Sequence, residues 1–105
     1  MLDLEPRHLQ LVRSLLADLP AGYEVWAFGS RVTGKAQRFS DLDLVLKAPE
    51  PVPLTLLARL SKAFSDSTLP FTVDLVDWHC LPESLQKAIR ETGVRVFPSP
   101  EATEP

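Results

Sequence analysis

Apolar positions recur along the chain in two alternating rhythms, and the switches between them divide it into elements. From 6 to 19, Leu9, Val12, Leu15, Leu16 and Leu19 return at the spacing of one helix face. Pro6 suits a first helical turn, and Pro20 with Gly22 ends the pattern. Residues 23–28 form a short aromatic and β-branched run between Gly22 and Gly29, the mark of a buried strand. Residues 30–40 are polar and basic, with Gly34 as punctuation, so a loop holding at most one helical turn is expected. From 41 to 46 the alternation is strict. Leu42, Leu44 and Leu46 point one way and Asp41, Asp43 and Val45 the other, which predicts a half-buried strand.

Pro49, Pro51 and Pro53 then interrupt the chain, and Leu56, Leu57, Leu60 and Phe64 mark a second helix ending near 65–68. A third strand is predicted over 71–76, with Phe71, Val73 and Leu75 opposite Thr72, Asp74 and Val76. Leu85, Ala88 and Ile89 place a helix over 81–92, with Pro82 near its start and Gly93 capping its end. Residues 94–97 add an edge strand. The expected fold is α/β (α+β): a single mixed sheet of three to four strands flanked by helices on at least one face. One domain is expected over 1–97, followed by a disordered tail, 98–105, with three prolines and little to bury.

Composition narrows the class. A chain of 105 residues can bury a core but has no room for a second lobe. Eleven Lys and Arg against fourteen Asp and Glu give a net charge of -3, so the overall field disfavours nucleic acid as a tight partner. Any phosphate binding has to be local. The single cysteine, Cys80, cannot close an internal disulfide, and with His8 and His79 it falls short of a structural zinc set. Neither a signal peptide nor a membrane span is evident, and a cytoplasmic location with no membrane partner is expected.

Chemistry concentrates on carboxylates. Asp41 and Asp43, two apart in a strand, share one side, and Asp74 in another strand can project from the same side. Unit charges about 4 Å apart repel by roughly 4 kcal/mol at an effective dielectric of about 20, so such a group calls for protons, water or a cation. All-oxygen donors favour Mg²⁺ or Mn²⁺ over zinc. An isolated Asp-x-Asp is most simply a solvated pair on an exposed sheet face. Here, however, Gly29 and Ser30 open a basic loop just upstream, where bare backbone and a hydroxyl can meet anionic oxygens. Arg31 is a candidate nucleotide contact, Lys35 and Arg38 weaker ones.

Gly29-Ser30, ten intervening residues, Asp41-Leu42-Asp43 and a later-strand Asp74 resemble the signature of the DNA polymerase beta-like nucleotidyltransferase superfamily. From Trp26 to Phe97 the chain looks like its minimal nucleotidyltransferases (MNT). The resemblance implies the polymerase beta-like fold and a nucleotidyltransferase using two Mg²⁺ ions and ATP. Asp41, Asp43 and Asp74 would be its metal-binding and catalytic residues, and Gly29, Ser30 and Arg31 its nucleotide-binding ones. It further implies an antitoxin that transfers AMP to a tyrosine of a HEPN-domain ribonuclease toxin, releasing pyrophosphate. The alternatives are a non-catalytic binding antitoxin or scaffold for such a partner, and transfer to a small molecule or an RNA end. A Walker A reading of residues 29–36 fails because Ala36 lacks the magnesium-binding hydroxyl and only four residues separate it from Asp41. A haloacid-dehalogenase reading fails because that nucleophile follows its strand, whereas here the strand runs on after the aspartates. Trp26 and Phe28 read as core residues, Asp77 as a strand-end or cap residue, and His79 and Cys80 as structural. Trp78 could pack under the last helix or face a partner.

Overall fold

The structure, a computed structural model, describes residues 2–37 and 40–99. Helix α1, Pro6–Leu15, starts on its proline and is shorter than the 6–19 pattern. Its end tightens at Leu16, whose N–H is shared between the carbonyls of Val12 and Arg13, 3.2 Å from each. The residue before Pro20 is kept out of helical geometry, which bars a helix that runs through Leu19. Leu16 nonetheless stays fully buried. Strand β1, Glu24–Phe28, leads through Gly29 into a single helical turn, α2, Ser30–Thr33, inside the expected loop. Strand β2, Leu42–Lys47, is joined through helix α3, Leu54–Ser65, to strand β3, Val73–Asp77. A 3-10 turn over Trp78–Cys80, unexpected from the periodicity, precedes helix α4, Glu83–Thr92, and strand β4, Val94–Phe97.

The sheet order is β3-β2-β1-β4, with β2 and β3 parallel and β1 antiparallel to both β2 and β4. This is the mixed four-stranded sheet the sequence implies. Its first face carries Val25, Ala27, Leu42, Leu44, Leu46 and Val96, which pack with Val12 and Leu16 and with Leu56, Leu60 and Phe64 of α3 into one core. The second face is covered over only part of its length. Val45 is fully buried there and Ile89 of α4 nearly so, with the 3-10 turn packed on β2 and α4 on β1.

Trp26 and Phe28 fall on this second face, half-buried, rather than in the main core, because they share register with Val45 and Asp43. Gly93 caps α4 as expected, yet with φ −67° rather than a left-handed backbone. Close approach explains the glycine: a β-carbon there would lie 2.6 Å from the Ile89 carbonyl oxygen. Of the tail expected over 98–105, residues 100–105 lie outside the described residues. Among those described, no helix is long and apolar enough to cross a membrane.

Candidate active site

The uncovered part of the second face holds the acidic residues. Asp43 lies between the buried Leu42 and Leu44, so its side chain emerges opposite the core. The parallel register sets Asp43 beside Asp74, and the antiparallel register sets it beside Phe28. Neighbouring strands run about 4.8 Å apart, which makes Asp43 and Asp74 lateral neighbours on one surface. Asp41 sits just ahead of β2 and is exposed, as is Asp74, while Asp43 is half-buried.

The electrostatics follow this placement. Burial pushes the Asp43 carboxyl above its ordinary value of 3.8, and the anionic Asp74 and then Asp41 push it further. The ion pairs of Arg7 with Glu5 and of Lys62 with Asp66 lie elsewhere. Nor, among the described residues, do three His, Cys, Asp or Glu side chains close into a ready metal cage. An open row of hard oxygen donors fits an ion that keeps part of its water shell and completes it with substrate phosphate, as Mg²⁺ does.

Gly29 joins the two halves of the motif. It has φ 84° and ψ −155°, and a β-carbon built on it would collide with Oδ2 of Asp43. The Asp43 carboxylate therefore rests against bare backbone at the start of α2, which only glycine permits. The Gly29 carbonyl accepts from the amides of Val32 and Thr33 at 3.0 and 3.1 Å, closing the turn. The first amides of such a turn have no carbonyl one turn back to bond, and Ser30 stands among them, half-buried.

Arg31, expected at the nucleotide, is 6% exposed and turned into the protein. Its Nε donates to the Ser40 carbonyl and its Nη1 to the Asp3 carbonyl, each at 3.0 Å, and its guanidinium lies 4.3 Å from the centroid of the Phe71 ring. Lys35 is exposed, and Arg38 lies outside the described residues. Asp77 faces away from Asp74, as alternation requires, and accepts from the amides of Val52 and His79 at 3.0 Å each. It caps the 3-10 turn. This is the strand-end or cap role expected of it from the sequence.

Trp78, half-buried, is flanked by Lys47 Nζ and Arg90 Cζ, 4.7 and 5.4 Å from its ring centroid, and its carbonyl accepts from Gln86 Nε2. His79 and Cys80 are exposed; His79 Nε2 pairs with the Ala48 carbonyl at 2.8 Å. The contacts of Arg31 with Asp3, Ser40 and Phe71 had no signal in the periodicity, because two of them reach main-chain carbonyls.

The family model described as polymerase beta, nucleotidyltransferase, matches residues 13–102. A probable protein adenylyltransferase MntA from Haemophilus influenzae is 45% identical over 93 residues, spanning 89% of this chain and 82% of its own length. A crystal structure of a toxin-antitoxin with AMP-PNP matches with a TM-score of 0.69 at 22% identity, covering 92% of this chain and 77% of the other. A tri-AMPylated Shewanella oneidensis HEPN toxin in complex with MNT antitoxin matches with a TM-score of 0.60 at 21% identity, covering 89% of this chain and 75% of the other. The two structural likenesses carry the fold, and the sequence matches carry the kinship. With a glycine-serine turn pressed against one aspartate and a second aspartate beside it in register, this chain belongs to the polymerase beta nucleotidyltransferase family.

Proposed function

We propose that this nucleotidyltransferase moves AMP from ATP to a tyrosine hydroxyl of a HEPN-domain toxin, releasing pyrophosphate and disarming the toxin. The observation that carries the reading is the contact of Asp43 with Gly29; it supports assigning the triphosphate to the turn and a divalent ion to the neighbouring carboxylate. The 45% identity with a probable protein adenylyltransferase supports a protein acceptor.

The amides at the start of α2 and the Ser30 hydroxyl hold the triphosphate oxygens. Asp43 on β2 and Asp41 just ahead of it face the nucleotide, and Asp74 on β3 stands on the side from which an acceptor can approach, being exposed at the sheet edge. Two Mg²⁺ or Mn²⁺ ions held by these carboxylates would neutralise the triphosphate, acidify the acceptor hydroxyl and stabilise the leaving pyrophosphate. Asp74 takes the proton from the tyrosine hydroxyl. The tyrosine oxygen bonds to the α-phosphorus, the bond from that phosphorus to the bridging oxygen breaks, and pyrophosphate leaves with the electron pair. The protein's own contribution is chiefly position.

Incubation with α-labelled ATP, Mg²⁺ and a HEPN toxin encoded beside this chain tests the reading. Label on a toxin tyrosine, lost with Asp43→Asn, is the expected result. A toxin neutralised equally well by wild type and by Asp43→Asn, with no label transferred, overturns it in favour of occlusion by binding. Label on an RNA end or a small molecule instead overturns the choice of acceptor.

A further inference from the structure

Arg31 sits where four segments of the chain meet. Its backbone belongs to α2, directly after Ser30. Its Nε holds the carbonyl of Ser40, the residue before Asp41. Its Nη1 holds the carbonyl of Asp3, and the Asp3 amide donates back to the Arg31 carbonyl at 2.7 Å, so the N-terminal segment is tied to α2 in both directions. Its flat face covers Phe71, whose ring also meets His8 of α1 edge-on at 5.7 Å. Phe71 adjoins Thr72, whose carbonyl accepts from Leu42 at 2.9 Å where β2 begins beside β3.

We propose that Arg31 is a positioning residue, a clamp that fixes the distance between the Gly29–Ser30 turn and the carboxylate of Asp41, which the sheet register that sets Asp43 does not reach, and that the backbone of Asp3 is the second half of the clamp. The inference rests on the reading that the turn holds triphosphate and the carboxylates hold the divalent ion. A guanidinium suits the task because its rigid fork bonds two carbonyls while its face packs on an aromatic ring, which an ammonium cannot do together. Two half-sites held at one spacing bind a metal–nucleotide pair better than either component alone, since neither half has to be ordered on binding. The cation and the nucleotide should therefore assist each other's binding, and that mutual assistance is what the clamp provides.

Titration of the full-length protein with AMP-PNP, with and without Mg²⁺, measures this coupling with no acceptor and no chemistry. Arg31→Lys and Asp3→Pro, the second removing the amide donor together with the side chain that Asp3→Ala controls for, should each reduce the Mg²⁺-dependent gain in AMP-PNP affinity by about tenfold or more, as loss of partners behind metal ligands does. Metal-free affinity should stay near wild type. The double variant should lose no more than either single one, because both break the same clamp. Asp3→Ala, which retains the amide, should couple like wild type.

Thermal melts of each variant separate loss of fold from loss of coupling. Should Asp3→Pro fail to fold, Arg31→Lys and Arg31→Gln judge the clamp by the same ratio. A fall in metal-free affinity with the Mg²⁺ gain intact would make Arg31 a direct nucleotide contact and overturn the proposal. Unchanged coupling in folded Arg31→Lys, or additive losses in the double variant, would overturn it as well. If wild type binds Mg²⁺ and AMP-PNP cooperatively but labels no toxin, the acceptor assignment fails while the clamp is still judged by these titrations.

Discussion

Gly29 and Gly34 offer a matched pair of perturbations, because both have φ near +84° but differ in what surrounds them. Gly34, at φ 83° and ψ 12°, has nothing within 4 Å of the place a β-carbon would take, so alanine there meets only the left-handed backbone penalty, about 1–2 kcal/mol. Gly29 lies in a region of φ and ψ that is essentially glycine-only, at about 1–3 kcal/mol, and a β-carbon would in addition strike Asp43 Oδ2. At roughly 4–8 °C per kcal/mol for a domain of this size, Gly34→Ala should lower the melting temperature by roughly 4–16 °C and Gly29→Ala by at least as much. The chemistry should separate them decisively. In Gly29→Ala the Asp43 carboxylate has to turn away by about an ångström, a displacement that costs on the order of a hundredfold in rate. Gly34→Ala should transfer label at the wild-type rate per folded molecule. Label transfer at saturating ATP, alongside melts of both variants, is the assay. A Gly29→Ala protein that turns over within about threefold of wild type, a barrier change below about 1 kcal/mol, would refute the contact as the basis of the site.

Other consequences are as direct. Because Asp43 is held above its ordinary value of 3.8, the folded state takes up its proton first; its contribution to stability is full below that value and is lost as pH rises through the raised folded value. Asp43→Asn should therefore raise the melting temperature of the metal-free protein at pH 7 and abolish transfer, and a lower melting temperature than wild type there would contradict the repulsion. Asp77→Ala leaves the buried amide of Val52 and the amide of His79 without their acceptor, and should cost about 2–4 kcal/mol in urea unfolding with kcat unchanged. Gly93→Ala should also destabilise, by overlap with the Ile89 carbonyl rather than by backbone strain, and a neutral melt would show that α4 can shift.

The parts of the site legible in the sequence are those with a local signature. Asp43 and Asp74 were readable because alternation fixes which face a strand residue takes, and each is flanked by residues of the core face. Asp77 was readable by the same parity. The neighbour relation of Asp43 and Asp74 required the parallel pairing of β2 with β3, which periodicity does not encode. Arg31 shows the opposite limit: its charge and its place after Ser30 suggest a phosphate contact, but its fate is decided by the carbonyl of Asp3, 28 positions away, and main-chain partners leave no trace in residue type. Trp26 and Phe28 read as core because their apolar character says nothing about which side of a sheet they occupy. The shortening of α1 left no trace in the apolar pattern, because Leu16 and Leu19 still pack on the core after the helix has ended at Leu15.

Helical cover on the second sheet face ends at Val45, leaving Asp43 half in water and Asp41 and Asp74 largely in it. The chain thus offers its acidic row as a floor without a roof. A docked protein surface would expel solvent from that floor, and charge attraction across it would strengthen as water left. If the hydroxyl comes from a protein, as proposed, the partner that delivers it would also dry the reaction chamber, and docking would separate idle hydrolysis of the nucleotide from transfer.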